Sequence, residues 1–206
     1  DEGALTAVTT TLDRMARGGM YDHVGGGFAR YSTDAKWHVP HFEKMLYDNA
    51  QLAFVYVEAF QQTGDARWKT TATETLDYVL REMQGEHGGY FSATDADSEG
   101  VEGKFFVWPK DEILELLPAD EAEAVIEAFD VRDTGNWEGH NVLWAPEPFE
   151  ASAKKLGITI DELMARLQRA KSALYAARKK RVHPLLDDKV LTAWNGLMIR
   201  AMAFAG

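Results

Sequence analysis

Two stretches of this chain repeat one theme. Residues 26–35 read GGFARYSTDA and residues 88–97 read GGYFSATDAD: two glycines, aromatic residues, a small hydroxyl residue, then Asp-Ala, at an offset of 62 residues. Two helical patterns fill the interval. Met45, Leu46, Ala50, Ala53, Val57 and Phe60 form one apolar stripe, and Trp68, Ala72, Leu76, Val79, Leu80 and Met83 form the next, each at helical spacing. A repeated helix pair whose connecting loops carry the polar and aromatic residues is how helical toroids and solenoids are encoded, because stacked repeats bring equivalent loops to one end. Costly residues on such loops can share one pocket.

The rest of the chain fits a helical body. Leu5, Val8, Leu12 and Met15 mark a first helix ended by RGG at 17–19. Residues 89–108 change to glycine, acid and aromatic character, which predicts a long loop with a short two-stranded hairpin. Pro109 opens a short helix to Leu117, and residues 119–129 form another. A second irregular excursion, VRDTGNWEGHNVLWAPEP, follows. Thr159 and Glu162 have capping-box spacing ahead of the stripe Leu163, Leu167, Ala170, Leu174 and Ala177. After the loop VHPLLDDK, a last helix runs from Leu191 to Ala205. The count is about eight helices with minimal strand.

Composition removes several classes of function. Thirty-three acidic against 22 basic residues give a net charge of −11, which disfavours nucleic acid and anionic membrane surfaces as partners. The basic run RKKR at 178–181 closes a helical pattern and is expected to complement its dipole. Cysteine is absent, so this chain has no thiol chemistry and no disulfide; a cytoplasmic location is the expectation. No apolar run approaches the ~20 residues of a membrane span.

Candidate chemistry collects on the loops. GGG at 25–27 precedes a polar loop rather than a phosphate-binding helix, so a tight bend or a close backbone approach is its reading. In WHVPHFEK, Pro40 pushes Val39 to an extended conformation, which leaves His38 in a loop and His41 about where the next helix starts. The intervening proline and the lack of a third ligand at fixed spacing argue against a metal. Asp22, Glu43, Asp48, Asp95 and Asp97 lie on or beside loops, with Tyr31, Trp37, Tyr90 and Trp194 as flat apolar faces. Carboxylates for hydroxyls, rings for CH faces and a proton carrier are what a sugar site needs. Asp187, Asp188 and Lys189 precede the last helix, where Asp can cap free N–H groups. Asn195, one turn into that apolar helix, must find partners.

The strings GGMYDHVGGGFARYSTDAKWHVPHFEKMLYDNAQL, GGYFSATDADSEGVEGKFFVW and DDKVLTAWNGLMIRA resemble the YyaL / spermatogenesis-associated protein 20 family. The resemblance implies an all-α (α/α)6 toroid, similar to N-acylglucosamine 2-epimerase and six-hairpin glycosidases, with a thioredoxin-like domain upstream. Residues 1–206 would then be an incomplete segment of one toroid domain, with the thioredoxin-like partner and the remaining helices absent. Cut helix faces would favour self-association. By likeness to the epimerase, His38 and His41 would exchange the proton beside the carbonyl of an opened sugar. By likeness to the glycosidases, an inverting pair would come from Asp22, Glu43, Asp95 and Asp97, spaced ~6.5–9.5 Å apart. Tyr31, Trp37, Asp48, Tyr90, Asp97, Trp194 and Asn195 would hold the carbohydrate; no cofactor or metal is expected. The alternative is a non-catalytic toroid that binds a sugar-like ligand or acts as a scaffold.

Overall fold

A computed structural model describes residues 2–206. In chain order its elements are α1 (Glu2–Arg17), β1 (Tyr31–Ser32), β2 (Pro40–His41), β3 (Lys44–Met45), α2 (Leu46–Thr63), α3 (Ala66–Glu82), β4 (Ala93–Thr94), β5 (Asp97–Ser98), β6 (Val101–Glu102), α4 (Lys110–Leu116), α5 (Ala119–Ala128), α6 (Phe149–Leu156), α7 (Ile160–Arg178), β7 (Leu186–Asp187) and α8 (Thr192–Ala205). Eight helices among the described residues thus carry the fold, and every strand is a two-residue piece.

Local signals set the helix ends. Gly64, in the left-handed region at φ 72°, stops α2, and Asp65 accepts from the Arg67 N–H to start α3. Thr159 accepts from the Glu162 N–H and opens α7. The start of α8 differs from expectation. Its N-cap is Leu191 with no side-chain cap, because Asp187 lies in β7 and pairs with Lys189.

Two helical bodies share the chain. In one, α2 packs against α3 and α8 through Leu46, Ala50, Ala53, Leu76, Val79, Met83, Met198 and Ala201. In the other, the stripes of α5 and α7 close over Trp108, Ile113 and Phe129. Helix α1 joins the first body through Leu12, which packs with Tyr56 and Trp68.

The loops meet as short antiparallel sheets. The hairpin β5–β6 is the one expected within residues 89–108; the pairing of β1 with β2, and the three-stranded order β3-β4-β7, bring together segments distant in sequence. Lys44 faces Thr94, and Thr94 faces Leu186. The segments before α2, after α3 and before α8 are therefore neighbours at one end.

The sequence echo has a shared geometry. Gly26 and Gly27 have φ of 75° and 78°, and Gly88 and Gly89 have 84° and 79°. After each pair, one asparagine clamps both backbone groups of the next aromatic residue. Asn49 accepts from the Phe28 N–H and donates to the Phe28 carbonyl at 2.7 and 3.0 Å. Asn195 does the same to Tyr90 at 2.7 and 2.9 Å. Each asparagine is the fourth residue of its helix and also donates to the carbonyl four residues earlier, on Met45 or Leu191. The partner that Asn195 had to find is thus the neighbouring loop.

Candidate functional site

Side-chain parity sorts the residues of the 41–44 segment. Alternate residues of an extended chain point to opposite faces, so Phe42 and Lys44 are buried while His41 and Glu43 lie on the outer side, partly exposed. The structure places His41 in β2, short of the α2 start at Leu46, because residues 40–41 and 44–45 pair as strands instead of joining the helix.

On the inner side Lys44 enters a buried ion triad. Its Nζ donates to Asp22 Oδ2 at 2.8 Å and to the Gly26 carbonyl at 2.8 Å. Arg178 donates from both Nη atoms to the two Asp22 oxygens, each at 2.8 Å. Asp22 Oδ1 also accepts from the Val24 and Gly25 N–H groups. The side chains of Lys44, Asp22 and Arg178 are 3%, 8% and 4% exposed. Burial works to raise the Asp22 pKa, but the Arg178 and Lys44 charges outweigh it and hold the carboxyl well below its ordinary range. Burial, only partly offset by Asp22, brings Lys44 down to about 8.

The three glycines make room for this arrangement. A Cβ on Gly25 would lie 2.0 Å from Arg178 Nη2, and one on Gly27 would lie 2.4 Å from the Tyr78 ring. Close approach of the loop to α3 and α7 is therefore what the GGG run provides.

A cavity of about 240 Å³ opens beside the triad. Lys44, Asp22 and Arg178 form its floor; Tyr78, Phe105, Phe106 and Tyr175 supply rings; Arg81, Glu82, Thr94, Lys179 and His183 complete the polar wall. Lys44 Nζ sits 4.2 Å from the Tyr78 ring centroid, and Arg178 lies 5.2 Å from that of Phe105. Glu82 Oε1 accepts from Tyr175 Oη at 2.5 Å and Arg81 Nε at 2.8 Å. Burial works to raise the Glu82 pKa, but these bonds and the nearby cations prevail, and it is lowered. The volume is near the small end of the ~300–1,000 Å³ usual for ligand sites. A larger hollow of about 380 Å³ lies between α1, α3 and α7. There Glu74 is engaged with Lys171 and with Tyr21, whereas the loop-end cavity keeps donors to spare on Lys44 and on Arg178 Nε and is the better candidate.

The basic run at 178–181 does more than complement a dipole. Arg178 completes the triad, and Arg181 donates to the Phe105 and Val107 carbonyls and to both oxygens of Glu112 while lying 4.0 Å from the Trp108 ring.

The residues singled out from sequence fall into separate places. Asp22 lines the cavity. His41, Glu43 and Tyr31 gather on the outer face: His41 Nδ1 donates to Glu102 at 2.7 Å, its Nε2 is 3.7 Å from Glu43, and its ring stacks 5.2 Å from Tyr31. Arg30 pairs with Glu43 at 2.9 Å. Asp48 stands nearby with a buried Oδ2 that has no partner, and burial lifts its pKa to about 6. His38 turns elsewhere, stacking on Trp144 at 4.4 Å with its Nε2 3.1 Å from Asn136 Oδ1; burial lowers its pKa. The Trp37 backbone, at φ 65°, accepts from the Gly19 N–H, and its ring packs against the α1–α2 core. Tyr90 and Trp194 pack against the core between α2 and α8, and Asn195 is the clamp on Tyr90. Asp95 and Asp97 are exposed at the β5–β6 hairpin. Among the described residues no three His, Asp or Glu side chains gather as a metal site, and no helix is long and apolar enough to cross a membrane.

Lys44, Tyr78, Phe106 and Glu82 were not singled out from sequence, and Arg178 was read only as a charge complementing the helix dipole. Arg178 did leave a signal. It continues the α7 stripe Leu163, Leu167, Ala170, Leu174 at a four-residue step, where a charge is buried and must be paired.

The fold and site define a helix-rich chain with a loop-built cavity at one end. No family model matches the sequence. Across 95% of its length the chain is 40% identical to spermatogenesis-associated protein 20 of Homo sapiens and 41% identical to that of Rattus norvegicus. Across 98% it is 37% identical to an uncharacterized protein of Caenorhabditis elegans. The chain belongs to the spermatogenesis-associated protein 20 family. It spans 28% of the length of the mammalian relatives and 31% of the nematode one.

Proposed function

We propose that the chain is a segment of an (α/α)6 toroid whose loop end binds a carbohydrate-type small molecule in the cavity beside Lys44 and Arg178, and that the toroid moves a proton on that sugar. The twice-used glycine pair and asparagine clamp support the repeat architecture. The observation that carries the site is the cavity itself, where rings and ionised groups share one wall.

The state of the carboxylates favours isomerisation over hydrolysis. A glycosidase acid needs a raised pKa, whereas Asp22 and Glu82 are both lowered by their cationic and hydrogen-bonding neighbours. Lys44, at about 8, has a protonation equilibrium near working pH and suits proton transfer beside a carbonyl. His183 lines the same cavity as a second carrier. The second reading is a non-catalytic binding module. It is favoured by the occupancy of Lys44, two of whose three hydrogens already serve Asp22 and Gly26. The greater length of the relatives leaves room for the remaining ring helices and for a thioredoxin-like domain.

Hexoses, hexosamines and their acidic derivatives incubated with the protein in deuterated water test the chemistry. Deuterium gained at the carbon beside the carbonyl, and lost in Lys44→Met, is expected. Binding without exchange would leave the module reading; absence of both would remove the sugar reading.

A further inference from the structure

The wall of the loop-end cavity carries unbalanced charge. Lys44, Arg81, Arg178 and Lys179 face Asp22 and Glu82, four positive groups against two negative, a surplus of two in a chain whose net charge is −11. Both negative groups are already engaged, Asp22 by Arg178 and Lys44 and Glu82 by Arg81 and Tyr175. Arg81 donates to Glu82 and to the Gly25 carbonyl, but the other three positive groups keep unused capacity. Arg178 Nε is buried without a hydrogen-bond partner. Lys44 has one hydrogen left after Asp22 and Gly26. Lys179 makes no ion pair among the described residues; its Nζ lies 5.7 Å from the Tyr175 ring.

Lys44 and Arg178 are buried while Arg81 and Lys179 are exposed, so the buried pair acts through a lower effective dielectric than an open surface and its unused donors raise the energy of the empty site. A ligand that brings the missing negative charge relieves it, and the neighbouring rings then take the apolar face of the same molecule. Resting on the sugar reading above, we infer that the ligand is an acidic sugar, one polyhydroxylated ring bearing an anionic oxyacid group, carboxylate or phosphate. The charge lies toward Lys44, Arg81 and Lys179, and the ring lies against Phe106 and Tyr175.

Calorimetric titration of the chain with D-glucose, D-glucuronate, D-glucose 6-phosphate and inorganic phosphate separates the terms. At least one charged sugar should bind about tenfold or more tighter than glucose, the worth of one charge-assisted hydrogen bond, and its affinity should fall as salt rises. Which charged sugar leads tells carboxylate from phosphate. Lys179→Gln and Arg81→Gln, both outside the buried triad, should weaken that sugar about tenfold, and more than they weaken glucose. Equal binding of charged and neutral sugars, or variants that weaken both alike, overturns the acidic-sugar inference and leaves the sugar reading standing. Inorganic phosphate binding as tightly as glucose 6-phosphate, with no response to either other sugar, overturns the ring and with it the sugar reading. Silence from all four overturns both.

Discussion

Asp22→Asn removes one charge from the centre of the buried triad while keeping the shape of the side chain. The variant amide keeps an oxygen for the Val24 and Gly25 N–H groups, which bond to Asp22 Oδ1. Its NH₂ then faces Lys44 Nζ and Arg178 Nη2, both donors to Oδ2 at 2.8 Å. Two buried cations lose their counter-ion. Arg178 cannot shed its proton, and breaking a buried pair of this kind costs about 3–5 kcal/mol. Lys44 can shed its proton. With Lys44 at about 8 in the native protein, its protonated form contributes on the order of 1 kcal/mol at pH 7 and almost nothing at pH 9. The expected loss is therefore about 4–6 kcal/mol at pH 7, and smaller by roughly 1 kcal/mol at pH 9. Urea unfolding followed by far-ultraviolet circular dichroism at both pH values measures it, with Arg178→Lys as a check that bidentate geometry matters. A loss under about 1 kcal/mol at pH 7, or an equal loss at both pH values, would refute the triad argument.

Three further outcomes follow from named contacts. Asn49→Ala strips both backbone bonds from buried Phe28 and should cost about 2–4 kcal/mol; Asn195→Ala should cost somewhat less because Tyr90 is only partly buried, and thermal melts with no drop for either would remove the clamp. Burial lowers His23 to about 4 from 6.5, so the unfolded chain binds the proton first and stability should fall between pH 6.5 and 4, by up to ~3 kcal/mol; His23→Gln should flatten that slope. Asp48 is raised to about 6 from 3.8, so its ionised form is the costly one. Asp48→Asn should stabilise by about 1 kcal/mol at pH 7.5, discounted for partial exposure, with the gain fading as pH falls from about 6 to 3.8; a destabilised variant at pH 7.5 would contradict this.

The helices were legible because their information is periodic and local. Capping at Thr159, the stop at Gly64 and the stripe on α7 are each written within a few residues. The echo was legible for the same reason, and both copies carry paired left-handed glycines. Of the sheets, the β5–β6 hairpin was legible and the others were not. Strands of two residues contain no alternation to read, and β3-β4-β7 joins residues 44, 94 and 186 through pairings that exist only after the helices have docked. The candidate site shared that limit. Asp22 was visible as a loop acid, but its partners come from 22 and 156 residues away. Nothing near either partner announces the other.

Strand parity then explains why acids, bases and rings crowd one short segment without forming one site. Between His41 and Lys44 successive side chains serve opposite faces. Outward, His41 and Glu43 join Glu102 and Arg30 where water screens them. Inward, Phe42 stacks on Phe106 while Lys44 reaches Asp22. Phe106 touches both inward residues, with its ring 5.2 Å from Lys44 Nζ. A one-residue slip of the register would exchange the two faces, burying His41 and Glu43 and leaving Asp22 and Arg178 without Lys44. The neighbouring sheet opposes that slip, since Lys44 and Met45 are held opposite Thr94 and Ala93. The pairing that sequence conceals is therefore what decides which charges face the cavity.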